Sequence, residues 1–503
     1  MISANQFLFI ISIYIVGMLF TPILFNNLSN RIMCLISPFV GVGVWGLSAG
    51  VIYVSGLKVT MLSLLLTILI VWLIVGQITQ KGRFLEKIRA SVFSIGKETF
   101  TKENAGIFVL FALLTLFFLT LGIRRVYPDS TQFEGVGRLL AQGGNIKDAV
   151  RELPFLLSGR FLIVGAMHGI NRIFGGYSLY ALNPVISYWF LLFLCVSLFR
   201  MISFPSKAIK IAILLCFIVS LGFNKNYLNA SFFIHNNAFA MVYYGLSVIS
   251  LYLYAISRER MWIYFGSFML GIAALTRVDM LIFSIIYFTT FAKIIDDDVN
   301  LWRNAWLIFL VISVPWRLIT LPYIPGKYWY IGSHTILFLV LCNIAFGIIS
   351  TYLLHLKKSI RWIPKTGLIF SLIILISLLI FLPSKSYLGW KLFLGHILFG
   401  KVWLATAVSV IILLPVSIFM VKKKIDMNFD ILVIPIILYL FALFCVVALG
   451  GYEKEDHSAM RMMNHIFPII VFSLFTGLID VLNKYHLSFS LPALSAPYPD
   501  CRD

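Results

Sequence analysis

The sequence predicts an all-helical protein that crosses a membrane many times, and three observations carry this. The first is composition: of 503 residues, 60% are hydrophobic and only 12% charged, and the mean hydropathy is +0.97. A soluble core needs far less apolar surface. In lipid, every backbone polar group has to find its partner within its own segment, so a chain of this kind folds as helices. The second is that the apolar residues gather in about 15 runs, most of them near the 17–25 residues that span a bilayer. The third is charge. In one set of alternate loops stand 23 lysines and arginines, against nine in the short loops of the other set. The positive-inside rule puts the first set in the cytoplasm, with the N-terminus outside and the C-terminus inside.

Taken in order, the first run is 7–25. It has no basic segment before it and no small-residue cleavage site after it, so it reads as a retained span rather than a signal peptide. Runs 33–54 and 59–78 follow, then a basic loop and run 105–121. After the segment 122–177 come 178–199, 208–221, 238–255, 262–275 and 280–295. The last are 305–321, 335–354, 367–382, 402–420, 431–450 and 466–479. The expected organisation is an N-terminal set of helices with a cytoplasmic loop (1–104), a membrane core (105–479) and a cytoplasmic tail (480–503). Aromatic residues make up 16% of the chain, which suits many membrane interfaces.

The longest extracytoplasmic segment is 122–177, and it opens with "VYPDSTQFEGVGRLLAQGG" (Val126 to Gly144). Thr131-x-x-Glu134 reads as a capping box, Phe133, Val136 and Leu140 recur at helical spacing, and Gly143-Gly144 ends the helix. A second run, "LPFLLSGRFLIVGAMHGINRIFGG" (Leu153 to Gly176), mixes apolar residues with Arg160, His168 and Arg172. Helices of this type lie flat at the interface.

The net charge of +20 is scattered through short loops, which is a topology signal and not a nucleic-acid patch. Cys34, Cys195, Cys216, Cys342 and Cys445 stand in apolar runs and Cys501 in the tail. None has a CxxC or metal spacing, so neither a disulfide framework nor a zinc site is expected. The chain has no P-loop, GxSxG, HExxH or GxGxxG motif, which argues against an ATPase, a serine hydrolase of the usual type and a zinc protease.

Asp129 follows a span and Pro128 and precedes a helix. It reads equally as a carboxylate at a helix start or as a chemical group. Glu134 is explained by the capping box, and Asp148 and Glu152 with Lys147 and Arg151 form a solvated face. Arg277 and Asp279, in "LTRVDMLIF", sit between two apolar runs. They read as a snorkelling Arg with a local partner or as a functional pair. "YEKEDHSAMRMMNHIFP" (Tyr452 to Pro468) brings Lys454, His457, Arg461 and His465 into the last outer loop, a wet connector in which Arg461 could reach a phosphate. Lys327 and His334 stand among aromatics, Lys385 and Lys391 lie in another outer loop, and Asp296-Asp297-Asp298 reads as a solvated acidic turn on the inner side.

"YPDSTQFEGVGRLLAQGG" after a span, a run ending "NRIFGG", "LTRVDMLIF" and "RMMNHIFPIIVF" occur in that order. Together, over 105–479, they resemble the GT-C membrane glycosyltransferases, the clan of the protein mannosyltransferases and the lipid A aminoarabinose transferase. The resemblance makes Asp129 the expected catalytic acid/base. It matches Leu275, Thr276, Arg277 and Asp279 to a Leu-Thr-Arg-Pro-acid stretch, with Val278 in place of the Pro, and Arg461 and Pro468 to an Arg shortly before a Pro in the final span. The second carboxylate that many members carry is missing from 222–235. The resemblance requires no cofactor and leaves a divalent metal open.

The function expected from it is transfer of a sugar from a polyprenyl-phosphate donor to a lipid, glycan or protein acceptor on the outer face of a cell membrane, such as a bacterial inner membrane. The donor and acceptor would be held by Arg277, Lys327, Arg461, His457 and Glu134. Membrane lipids are the other expected partners, and nucleic acid is not one. Two other readings stand beside it: a flippase or transporter of lipid-linked glycans, and an O-antigen polymerase or ligase.

Overall fold

The computed structural model describes residues 4–79, 102–123, 128–142, 162–203, 206–233, 236–295, 298–324, 332–355, 430–449 and 462–490, with a few isolated positions between 376 and 391. Among them the chain is helical and has no β-strand. The helices are α1 (Ala4–Leu24), α2 (Asn30–Val54), α3 (Met61–Thr79), α4 (Lys102–Leu121), α5 (Pro128–Ala141), α6 (Leu162–Ile173), α7 (Leu182–Met201) and α8 (Lys207–Gly222). They continue with α9 (Lys225–Phe232), α10 (Asn236–Ser257), α11 (Met261–Thr276), α12 (Met280–Phe291), α13 (Val299–Thr320), α14 (Ser333–His355), α15 (Asp430–Leu449) and α16 (Phe467–Ser490).

Eight of the described helices are long and apolar enough to cross a membrane, or nine if the bent pair α8–α9 counts as one span. Four apolar stretches are shorter: α11, α12 and parts of α15 and α16. Of the run expected at 367–382 only isolated positions are described, and the run at 402–420 lies outside the described residues. The outer helices show why the chain belongs in lipid. On α3, Leu62, Leu65, Leu69 and Ile78 are exposed; on α8, Ile211, Leu215 and Val219; on α14, Phe338, Leu341 and Ile348. Water would penalise such a belt, whereas hydrocarbon accepts it.

At the centre stands α10. It is apolar nearly all round and buried from Asn236 to Tyr252, as a helix enclosed by other helices must be. It packs against α7, α11, α12, α15 and α16, and α11 packs in turn on α13. With no hydrophobic drive between helices in lipid, close approach depends on small residues. α1 and α2 cross at Gly17 and Gly41, where a Cβ on either would collide with the carbonyl of Ser37 or of Ile13 on the other helix.

Two local expectations for 122–177 are corrected. The helix expected to be capped at Thr131 already runs from Pro128. Proline in the first turn sacrifices only an N–H that has no intrahelical partner. Thr131 is therefore inside the helix, and Glu134 does not close a capping box. Its Oε1 accepts a hydrogen bond from Ser178 Oγ at 2.6 Å. α5 ends at Ala141, just before Gly143-Gly144, which lie outside the described residues. The second concerns α6, expected to lie flat at the interface: within the bundle it is covered by other helices rather than exposed. It is buried from Ile163 to Asn171. Its Ile163 meets α2 at Gly46, about two turns below the end of α2. Its polar side, with His168, crosses α5 at Gly137, where an added Cβ would stand 2.8 Å from the His168 carbonyl carbon. An amphipathic pattern records which face is polar, not how deep the helix sits.

The segment 222–235, expected as a loop, contains α9, which turns by 61° from α8. Asn224 caps it, with Oδ1 accepting from Asn226 N at 2.9 Å. Asp298, expected in a solvated turn, caps α13 through Leu301 N at 3.0 Å and pairs with Arg260 at 2.8 Å. Asp296 and Asp297 lie outside the described residues, as do Asp148 and Glu152. Cys34, Cys195, Cys216 and Cys342 are free thiols.

Candidate functional site

Helix α11 stops at Thr276 because Arg277 takes an extended conformation (φ −149°, ψ 138°). Three residues later the chain re-enters a helix at Met280. Arg277 and Asp279 therefore stand in a break between two short apolar helices. Both are buried, at 6% and 8% exposure, which removes the snorkelling account. Arg277 Nε donates to both Asp279 oxygens, at 2.9 and 3.1 Å, and Nη1 donates to Asn237 Oδ1 at 2.8 Å. The carboxylate thus turns toward the guanidinium and makes no side-chain cap on α12. A buried ion pair needs such added hydrogen bonds to offset its desolvation.

The cluster extends to two more helices. His465 Nε2 approaches Asn237 Oδ1 at 3.4 Å, the limit of a hydrogen bond, and Tyr439 OH lies 3.0 Å from His465 Nδ1. Tyr439 also donates to the Met462 carbonyl at 2.6 Å. A hydroxyl has one proton, so with that proton on Met462 the tyrosine oxygen accepts from Nδ1–H. In the neutral imidazole Nε2 then carries no proton, and its 3.4 Å approach to Asn237 Oδ1 is a packing contact and not a hydrogen bond. Asn237 is fixed likewise, since Arg277 can only donate and must face the amide oxygen. Tyr439 stacks on Phe283 with ring centroids 4.2 Å apart. His465 is fully buried, so it is not part of a wet connector. Beside this group, Asn236 Nδ2 donates to the Thr276 carbonyl at 3.1 Å, and the fully buried Arg317 on α13 donates to the Ala274 carbonyl.

The cluster shares one end of the bundle with α5. Tyr180 OH donates to Leu119 O near the end of α4, Ser178 donates to Glu134 on α5, and Asn183 near the start of α7 donates to Phe233 O just before α10. Asp129 lies in the first turn of α5, its side chain outside the described residues. Lys327, His457 and Arg461 lie outside them altogether, with Lys385 and Lys454, and His334 is exposed in the first turn of α14. The structure therefore joins Arg277 to Asn237, Tyr439 and His465, and places Glu134 near the same end on Ser178.

His168 is the titratable group of α6. Burial pushes its imidazole down to about 3, with the nearby Arg172 charge adding to the effect. Among the described residues, no three His, Cys, Asp or Glu side chains come together in a way that could hold a metal ion. The described donor set does not fit a metal, and no step below passes through one. A cavity of about 410 Å³ between α1, α2 and α3 and one of about 220 Å³ near Arg200 and Glu259 both lie apart from the cluster. No family model, curated protein or solved structure matches the chain.

Proposed function

We propose that this multi-pass membrane protein is a glycosyltransferase that moves a sugar from a polyprenyl-phosphate donor to an acceptor hydroxyl on the extracytoplasmic face. In this reading the whole chain has about 15 spans, the number its apolar runs suggest, and the loop charges set its orientation. One observation carries the reading. Three of the ordered motif segments, far apart in sequence, converge on one end of the bundle: α5 with Asp129, the α11–α12 break with Arg277, and the start of α16 with His465.

The chemistry follows from the residue types. The acceptor hydroxyl needs a base, and Asp129 takes its proton as the sugar–oxygen bond forms. The bond to the lipid phosphate breaks, and its electron pair leaves with the phosphate anion. Arg277 at that end, and by the sequence reading Arg461 and Lys327 from the outer loops, stabilise the developing charge. Attack from the face opposite the phosphate inverts the sugar. The lipid tail stays among the apolar helices throughout.

The test uses purified protein in vesicles with a labelled polyprenyl-phosphate sugar and measures release of polyprenyl phosphate. Asp129→Asn keeps shape and helix-start chemistry but removes the base, and it lowers turnover by about 10²–10⁴-fold. A wild-type rate in Asp129→Asn would leave Asp129 as a helix-start carboxylate and refute its role. The flippase or transporter of lipid-linked glycans is favoured by one feature, the interrupted α11–α12 pair with buried ionisable groups. In the same assay it would move label across the vesicle with the donor intact.

A further inference from the structure

A cavity of about 220 Å³ lies at the opposite end of the bundle from the Arg277 cluster. α10 carries Asn237 at its start and meets the cavity at its end, with Leu253 and Ser257. α11 runs the other way: it ends at the cluster and meets the cavity at its start, with Trp262. The end of α7 and the start of α2 complete the walls. α7 and α10 are both long and apolar enough to cross a membrane. A cavity at their ends therefore lies at the depth of lipid head groups, on the side that the loop charges place in the cytoplasm. Its volume is far above the ~10–15 Å³ that holds one water.

The lining is of two kinds. Leu35, Phe193, Leu253 and Trp262 are apolar, while Arg200 and Glu259 bring opposite charges to the same cavity. Both charged residues are exposed, and they form no ion pair with each other. The turn between α10 and α11 shows why Glu259 is left for another partner. Arg258 takes a left-handed conformation (φ 58°) and donates to the Ile294 carbonyl at 3.2 Å. Arg260 pairs with Asp298 at 2.8 Å. The two arginines beside Glu259 are thus directed at other groups. Opposite charges that line one cavity and do not close on each other fit a ligand that carries both signs. The apolar wall beside them fits a ligand that is also part hydrocarbon.

We propose that this cavity binds a phospholipid of the cytoplasmic leaflet whose head group carries both a phosphate and a primary ammonium, as phosphatidylethanolamine does. The phosphate faces Arg200, the ammonium donates to Glu259, and the first carbons of the chains lie against Leu35, Phe193 and Trp262. A purely anionic head group would set a negative charge against Glu259 with nothing to offset it. A choline head group has no N–H to donate to the carboxylate. The site stands at the far end of α10 and α11 from the proposed chemistry, so it does not rest on sugar transfer.

The test is made on the full chain in phosphatidylcholine nanodiscs, with phosphatidylethanolamine or phosphatidylglycerol added in increasing fraction. Retained lipid is counted by native mass spectrometry after transfer to detergent, and the unfolding temperature is followed against lipid fraction. The wild type retains phosphatidylethanolamine about tenfold better than phosphatidylcholine and unfolds at a higher temperature with it, whereas phosphatidylglycerol gives neither effect. Glu259→Gln brings the retention of phosphatidylethanolamine down to that of phosphatidylcholine. Arg200→Gln weakens both lipids together, because both carry the phosphate. Soluble phosphoethanolamine, which lacks the chains, does not compete. Equal retention of the two zwitterionic lipids by the wild type overturns the proposal. So does a preference for phosphatidylglycerol, which would make the rim an ordinary basic surface. Wild-type selectivity in Glu259→Gln would put the preference at another site and overturn it as well, and competition by soluble phosphoethanolamine would remove the lipid from it. If Arg200→Gln does not fold, the wild-type comparison and Glu259→Gln decide.

Discussion

Removing the carboxylate of Asp279 tests whether the α11–α12 break is held by its ion pair. Arg277 Nε lies 2.9 Å from Asp279 Oδ1, and the two side chains are only 8% and 10% exposed. At an effective dielectric of about 20 the attraction is about 6 kcal/mol. Desolvating the two ions consumes several kcal/mol each, so the net contribution of the pair is small. The asymmetry is what can be measured. Asp279→Leu leaves Arg277 buried against Asn237 without its counter-charge and is expected to destabilise by about 3–5 kcal/mol. Arg277→Met leaves the buried carboxylate alone and costs a similar amount. The double variant removes both charges and returns to within about 1–2 kcal/mol of wild type. The measurement is reversible unfolding of the purified protein in mixed micelles, read by tryptophan fluorescence across the four members of the cycle. If the two single effects simply add, within about 0.5 kcal/mol, the pair is not coupled and the account of the break is wrong. The double variant also separates structure from chemistry: under the proposed function it folds and fails to transfer sugar.

Tyr439→Phe takes the donor from Met462 O and the acceptor from His465 Nδ1. It should destabilise by about 1–3 kcal/mol in the same unfolding assay. Gly41→Ala puts a methyl group into the Ile13 carbonyl and should cost about 1–3 kcal/mol through forced separation of α1 and α2, while Gly106→Ala, with open space around it, should be neutral or mildly stabilising. His168 is held at about 3 against an ordinary 6.5. Between these values the unfolded chain binds a proton that the folded one refuses, so stability is full above about 6.5 and falls as pH drops toward about 3. His168→Gln should flatten that part of the stability–pH curve, and an unchanged slope would mean that the imidazole is not buried neutral.

Helix placement is legible in the sequence because lipid enforces it. The apolar runs 105–121 and 238–255 become helices Lys102–Leu121 and Asn236–Ser257. They extend because polar residues at the ends, such as Lys102, Asn104 and Asn236, continue a helix that hydropathy alone cannot see. The Arg277–Asp279 pair is legible as a local couple. Its other partners are not, because Asn237 and Tyr439 look like ordinary residues of apolar runs. Only tertiary packing brings His465 to Asn237, 228 residues away. The start of α5 carries two competing signals, the capping box at Thr131 and the helix-start carboxylate Asp129 after Pro128, and the structure follows the second. The depth of α6 had no local signal, since periodicity is the same at an interface and against α2. Arg317 reads as a residue near a span end, and nothing in its neighbours foretells that it turns inward.

The break between α11 and α12 also bears on how the chain enters the bilayer during synthesis. With 16 and 12 residues, the two helices are about 24 and 18 Å long, each shorter than the hydrocarbon core of about 30 Å. Between them, at the end of the bundle that holds the cluster, lie an arginine and an aspartate, ionisable groups that are costly to hold away from water. Asp279 emerges two residues after Arg277 and shields its charge at once. Asn237 comes 40 residues earlier, on a helix already available as the neighbour of α11. α10 and α11 therefore enter as a hairpin whose polar contacts form inside it, and α11 depends on α10 as a local escort. His465 arrives only with α16. The polar cluster is thus laid down in two instalments, an early half from α10 and α11 and a late half that comes only with α16.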